Sequence, residues 1–177
     1  MPLINPKLLP AQMLIGKQIA LSVPLQIAFV YFGFHHLPLA DSVGPDFAAR
    51  LTYVLQWELV GVLVLLAMIM FIAGYRPLSE GGIDGSEGDR RINVHQRVQR
   101  NTLEQLTLMI FGHLALLTVL PPESLRVIPV LVLLFVVARV VYWVGYVRDP
   151  LLRTTGFVAT FYPNIAVLLY AAWKIFG

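Results

Sequence analysis

Apolar residues run along this chain in long continuous stretches, not in the alternation that marks half-buried strands. Four stretches are strong: Leu51–Tyr75, Ile92–Leu120, Val127–Tyr146 and Thr155–Phe176. A weaker one, Gln18–Leu39, carries Pro24 and Gln26 and ends in His35 and His36. A bilayer core takes roughly 20 helical residues, so each strong stretch is long enough to span it. No water satisfies the backbone inside lipid, so spanning segments are helices or closed barrels, and unbroken apolar runs favour helices. Turn residues lie between the runs: "ADSVGPD", "LPPESLR" and "RDPLLR". The one long link, "YRPLSEGGIDGSEGDRRINV", is rich in Gly and acidic residues and reads as mobile. The pattern predicts an all-α integral membrane protein. Residues 51–177 form a four-helix transmembrane bundle, and residues 1–50 form an extension with an additional transmembrane or interfacial helix.

Composition agrees with this pattern. Of 177 residues, 58% are hydrophobic and 13% charged, so a soluble domain is a poor description. There is no cysteine, which excludes disulfides, thiolate-ligated metals and a cysteine nucleophile. The net charge of +3 is spread out, with no basic tract suited to nucleic acid. Basic residues report orientation instead. Arg76, Arg90, Arg91, Arg97, Arg100, Arg148 and Arg153 fall on one side of a five-helix arrangement, joined by Lys7 and Lys17 if the weak segment spans. Arg50, Arg126 and Lys174 fall on the other. The positive-inside rule puts the arginine-rich side and the N-terminus in the cytoplasm. A cleaved signal ending at Ala40 is the weaker reading of the first segment, because Pro38 sits where a small residue is needed.

Polar residues inside the apolar runs carry the candidate chemistry. Arg97, Asn101 and Glu104, in "RVQRNTLEQ", are spaced to share one helix stripe. Arg139, Tyr142 and Tyr146 share another, with Arg148 and Arg153 following. Ionisable residues within membrane helices are costly and face a bundle interior or a wet cavity. Arginines grip carboxylates bidentately, asparagine both donates and accepts, glutamate accepts from an ammonium, and tyrosines give flat walls with a hydroxyl. Together they suit a small zwitterion with several carboxylates near one membrane face. An arginine also favours a thiolate over a thiol. Two structural readings stand beside this one: a buried Glu104–Arg139 pair that joins two helices, and interfacial arginines that snorkel to lipid phosphates.

These residues resemble those of the membrane-associated proteins in eicosanoid and glutathione metabolism, the MAPEG family. The family's second helix carries Arg-x-x-x-Asn-x-x-Glu, matched by Arg97, Asn101 and Glu104. Its third helix and the following link are matched by "ARVVYWVGYVRDPLLR", with Arg139, Tyr142, Gly145, Tyr146, Arg148 and Arg153. Arg76 resembles the arginine that ends the family's first helix. The resemblance implies a homotrimer of four-helix subunits, with glutathione as co-substrate between neighbours near the cytoplasmic face. An apolar electrophile or lipid substrate would arrive from the membrane. It implies that Arg153 activates the thiol, with Arg76, Arg97, Asn101, Glu104, Arg139, Tyr142, Tyr146 and Arg148 in the binding site. Transferase activity, with peroxidase activity on lipid hydroperoxides, follows from the same likeness. Gln105 stands where the leukotriene synthase branch has tyrosine, and Gln99 where prostaglandin synthase members have histidine. These departures argue against an eicosanoid substrate.

Two other functions fit the same pattern: a non-catalytic binding or scaffold protein, and a small anion transporter. His35 and His36, near Asp41 and Asp46, read as a solvated or interfacial pair in preference to a metal site. "GGIDGSEGD" matches a calcium loop in composition only. His113, out of phase with the Glu104 stripe, reads as a helix–helix hydrogen-bonding residue. Pro163 is expected to kink the last helix, with Asn164 near the freed carbonyl. Trp57, Trp143 and Trp173 are expected in interfacial belts.

Overall fold

A computed structural model describes residues 9–37, 43–78 and 90–177 of the chain. Five helices make up almost all of it: α1 (Leu9–His36), α2 (Phe47–Tyr75), α3 (Arg90–Val119), α4 (Val127–Arg148) and α5 (Thr154–Phe176). All five are long and apolar enough to cross a membrane, and no strand occurs among the described residues. The long link after Leu78, its acidic run, Lys7, Pro38, Ala40 and Asp41 lie outside the described residues.

The helix ends follow from local chemistry. Asp46 starts α2 by accepting from the backbone N–H of Ala48 (2.9 Å) and Ala49 (3.1 Å), groups that no helical partner reaches. One turn on, the Arg50 guanidinium donates to the carbonyls of Leu117 and Leu120, both at 2.5 Å. It thereby caps the C-terminal end of α3, where a cation is also favoured by the helix dipole. Pro121 and Pro122 prevent α3 from continuing and lead into a 3-10 turn, Pro122–Arg126. Asp149 ends α4 and accepts from Leu151 N–H (2.7 Å), shaping a second 3-10 turn, Pro150–Arg153.

The bundle forms around α4, whose apolar residues on most faces are buried, as expected of a helix with no polar side over most of its length. Val54, Leu106, Met109, Leu117, Ile128, Val132 and Phe135 make one core cluster between α2, α3 and α4. Facing outward, Leu55, Leu59, Leu63, Leu66 and Met70 form an apolar stripe on α2. Such a stripe costs nothing against hydrocarbon. Between α2 and α3, buried Glu58 and His113 hydrogen-bond side chain to side chain, so His113 does serve as a helix–helix contact.

The first helix departs most from the pattern read in the sequence. It is already helical at Leu9, well before Gln18, and packs along α4 and α5. Polar notches fix it there. Gln18 donates to the Leu151 carbonyl (2.9 Å) and accepts from Thr155 N–H (3.2 Å), while Ser22 donates to the Thr155 carbonyl (3.1 Å). Further along, Gly33 admits a close approach: a Cβ there would lie 2.6 Å from Val130 Cγ1. These contacts place α1 parallel to α5 and antiparallel to α4.

Candidate functional site

The arginine-rich end of the bundle is built on α4 and α5 packing backbone to backbone. Gly156 makes this possible, since a Cβ there would meet Tyr142 N at 2.4 Å and the Ala138 carbonyl at 2.5 Å. Into this contact α4 sends Arg139, which is fully buried. Its guanidinium donates to Asn101 Oδ1 (2.9 Å), to the Gly156 carbonyl (3.0 Å) and to the Thr160 hydroxyl. It also lies over the Tyr142 ring, 4.6 Å from the centroid. The sequence allowed an Arg139–Glu104 pair; the structure gives Arg139 to Asn101 instead, and Glu104 is exposed. Three neutral acceptors from α3 and α5 converge on Arg139, and a fork of donors satisfies them better than one carboxylate would.

One turn beyond, the geometry repeats nearer the surface. Gly145 lets the 3-10 turn fold back against α4, because a Cβ would lie 2.8 Å from the Leu152 carbonyl. The turn delivers Arg153 over the Tyr146 ring, 4.9 Å from its centroid. Tyr146 itself is buried and packs with Tyr142 at 5.8 Å between centroids. Unlike Arg139, Arg153 is exposed.

Between these layers and α1 lies a cavity of about 470 Å³. Asn101, Tyr142, Arg153 and Thr154 line its polar side; Ile15 and Ile19 of α1 and Phe157 of α5 are among its apolar walls. Among the described residues, no carboxylate lines it. The cavity therefore faces one exposed guanidinium and lies over a second, buried one, an arrangement that favours an anionic occupant.

Of the nine residues singled out in the sequence, three share this cavity: Asn101, Tyr142 and Arg153. Arg139 and Tyr146 lie behind it as supports. The other four are not on its wall. Arg97 and Glu104 are exposed on α3, although Asn101 Nδ2 approaches Glu104 Oε2 at 3.4 Å. Arg148 is exposed at the end of α4, and Arg76 in a short 3-10 turn after α2. Arg97, Arg100, Glu104 and Thr107 form a polar stripe on the outer face of α3.

Sequence reading missed several contributors. His95 accepts from the Trp143 indole N–H (2.8 Å) and packs against Phe71, so Trp143 joins α2, α3 and α4. Trp57 likewise packs against the core. Asn164 does not serve the carbonyl freed by Pro163; it donates across to α3, to the Gln105 carbonyl (3.0 Å) and side chain (3.2 Å). Thr160, Gly156 and the α1 isoleucines carried no pattern that marks a site.

Transmembrane protein 79 of Bos taurus and of Mus musculus are similar to this chain, each 25% identical over 154 residues. The matches cover 83% of this chain but only 37% and 38% of those proteins. The chain thus spans less than two-fifths of the length of these curated relatives. No solved structure matches. The family model for MAPEG matches residues 54–173, from the first turns of α2 to the last turns of α5. With its five apolar helices and this match over most of its length, the chain belongs to the MAPEG family.

Proposed function

We propose that this membrane protein is a glutathione-dependent enzyme that conjugates glutathione to apolar electrophiles and also reduces lipid hydroperoxides. The observation that carries the reading is the cavity itself. Arg153, Asn101 and Tyr142 converge on a space of about 470 Å³ with no carboxylate on its wall among the described residues, over the buried charge of Arg139. Glutathione brings two carboxylates, an ammonium and a thiol, and is anionic at neutral pH. Asn101, held at its oxygen by Arg139 and donating through Nδ2 to Glu104 at 3.4 Å, has its second amide hydrogen for a peptide carbonyl. Glu104 stands off this wall, beside Asn101 on the outer face of α3, and would meet the ammonium where a neighbouring subunit closes that side. Arg153 stabilises the thiolate by opposite charge in a site walled partly by hydrocarbon, where such charge acts more strongly than in water.

The thiolate then attacks the electrophile, forming a sulfur–carbon bond as the leaving group departs or the addition completes. With a hydroperoxide, two glutathiones supply the two electrons: the oxygen–oxygen bond breaks, and the products are a lipid alcohol, water and glutathione disulfide. No protein nucleophile is needed, consistent with a chain that has no cysteine.

The outer stripe of α3 supports a homotrimer. Arg97, Arg100, Glu104 and Thr107 face away from the subunit, and charged groups against lipid are unfavourable. A neighbouring subunit covering the stripe would enclose Arg97 and Glu104 in a space between subunits. The arginine-rich end would face the cytoplasm. A second reading, a non-catalytic binding member of the family, is favoured by the position of Arg76, Arg97, Glu104 and Arg148 off the cavity wall.

The deciding experiment is a glutathione titration of detergent-purified protein, following thiolate absorbance in the ultraviolet, repeated with Arg153→Ala. Saturable thiolate formation, lost in the variant, is the expected result. Binding without thiolate favours the non-catalytic reading, and no binding at all removes glutathione from the account.

A further inference from the structure

The last helix starts on a residue that caps helices badly. The N-cap of α5 is Arg153, and its side chain makes no capping hydrogen bond. Ser, Thr, Asp and Asn are favoured at that position, because a short side-chain oxygen accepts from an N–H that the first turn leaves without a partner. Arginine has no acceptor to offer, and its charge opposes the helix dipole at that end. The Arg153 guanidinium instead lies over the Tyr146 ring and lines the cavity of about 470 Å³.

The missing cap comes from α1. Gln18 accepts through Oε1 from the Thr155 N–H, the group in the first turn that a capping side chain serves, and from the Thr155 hydroxyl, both at 3.2 Å. Through Nε2 it donates to the Leu151 carbonyl at 2.9 Å. One side chain therefore grips the backbone just before and just after Arg153. The turn between them, Pro150–Arg153, also packs on α4 at Gly145. Ile15 and Ile19, on either side of Gln18 in sequence, line the same cavity. Gln18 lies outside residues 54–173, the part matched by the family model. We propose that Gln18 is a positioning residue for Arg153: it supplies the cap that an arginine at that position cannot, and so holds the guanidinium toward the glutathione sulfur. The proposal rests on the glutathione reading. Ser22, the other polar contact from α1, donates to the Thr155 carbonyl at 3.1 Å. That carbonyl points along α5, away from the turn, so Ser22 secures α1 without holding Arg153.

The test follows the thiolate absorbance of bound glutathione against pH in the detergent-purified full chain, in Gln18→Leu and in Ser22→Ala. Gln18→Leu is close in shape and removes all three bonds; Gln18→Met, also without the amide, replaces it if it does not fold. At an effective dielectric of about 20, a retreat of the guanidinium from about 4 Å to about 6 Å removes about a third of its attraction for the thiolate. The apparent thiol pKa should then rise by about one unit, about tenfold less thiolate at a pH below it. Arg153, Tyr142 and Tyr162 are the ionisable groups on the cavity wall among the described residues, and both variants keep them. Ser22→Ala should leave the thiol pKa unchanged. S-methylglutathione, which has no thiol to ionise, should bind all the chains equally well. Amide hydrogen exchange over residues 149–155 should quicken in Gln18→Leu alone. An unchanged thiol pKa or unchanged exchange in Gln18→Leu overturns the proposal. So does an equal pKa rise in Ser22→Ala, which would make the docking of α1 as a whole responsible. Loss of S-methylglutathione binding in Gln18→Leu overturns it in favour of a structural role. Absence of thiolate in the unmodified chain removes the glutathione reading and this proposal together, a result seen without any variant and so distinct from the others.

Discussion

Arg139 and Arg153 each lay a guanidinium over a tyrosine at the same end of α4, at 4.6 Å and 4.9 Å from the ring centroids. Their surroundings differ completely. Arg139 is sealed between α3, α4 and α5, with Asn101, Gly156 and Thr160 as acceptors. Arg153 is exposed on the wall of a cavity and stands on a 3-10 turn. The same chemical group therefore holds helices together in one layer and is free to meet a ligand in the next. A shared motif does not assign a shared role; what decides is whether the donors are already used within the protein.

Removing the buried layer should have the largest effect. Arg139→Ala deletes the guanidinium, so Asn101 Oδ1 loses its donor and the Gly156 carbonyl and Thr160 hydroxyl each lose a charged one, Gly156 keeping the Thr160 hydroxyl at 3.4 Å. Each such loss costs about 1–3 kcal/mol, and the void left by the side chain adds to it. A total near 3–5 kcal/mol is expected, read as reduced resistance to unfolding in detergent. Arg139→Lys should recover little of it, because one ammonium cannot span three acceptors in the fork geometry. A stable Arg139→Ala protein with altered glutathione affinity alone would place Arg139 in the ligand layer and dissolve the distinction.

Arg153→Ala comes next and should act on chemistry alone. A charge aimed at a developing or stabilised anion is worth about 2.7–4 kcal/mol, or a hundredfold or more in rate. Its exposure predicts unfolding behaviour close to that of the unmodified protein, within the ±0.5 kcal/mol typical of surface changes. Gly156→Ala is smaller, about 1–3 kcal/mol of overpacking, since α4 and α5 must separate to admit one methyl group. That separation lengthens the Arg139 bond to the Gly156 carbonyl. The sharper readout is therefore non-additivity: Gly156→Ala combined with Arg139→Ala should cost less than the sum of the two.

The helices were legible because lipid removes alternatives: backbone groups must pair within the segment, so an apolar run of sufficient length has one solution. Boundaries at Tyr75, Val127 and Phe176 coincide with those read from the sequence. The start of α1 was missed because Gln12, Lys17 and Gln18 dilute the hydrophobic signal, and Gln18 is polar for a tertiary reason, its bonds to Leu151 and Thr155. Stripe spacing brought Asn101 and Arg139 to neighbouring helices correctly. It did not say which stripe members turn inward, and here Arg97 and Glu104 do not. Gly156 and Thr160 gave no signal, because a close helix crossing depends on two surfaces meeting and neither surface shows it alone.

The smallest predicted effect tests whether function belongs to one side of α4 only. Trp143 lies between Tyr142 and the following turn but points away from the cavity, its indole N–H on His95 Nδ1 at 2.8 Å and its ring edge-on to Phe71. Trp143→Phe keeps an aromatic ring against Phe71 and removes the donor, so His95 loses one hydrogen bond. A neutral hydrogen bond contributes about 0.5–1.5 kcal/mol, and His95 is only partly buried, which puts the loss at the lower end. Unfolding in detergent should shift by that small amount, while thiolate formation with glutathione stays as in the unmodified chain. A loss of thiolate formation would mean that the aromatic side of α4 sets the position of Tyr142 and Tyr146, and the cavity would then depend on all four helices of the family core.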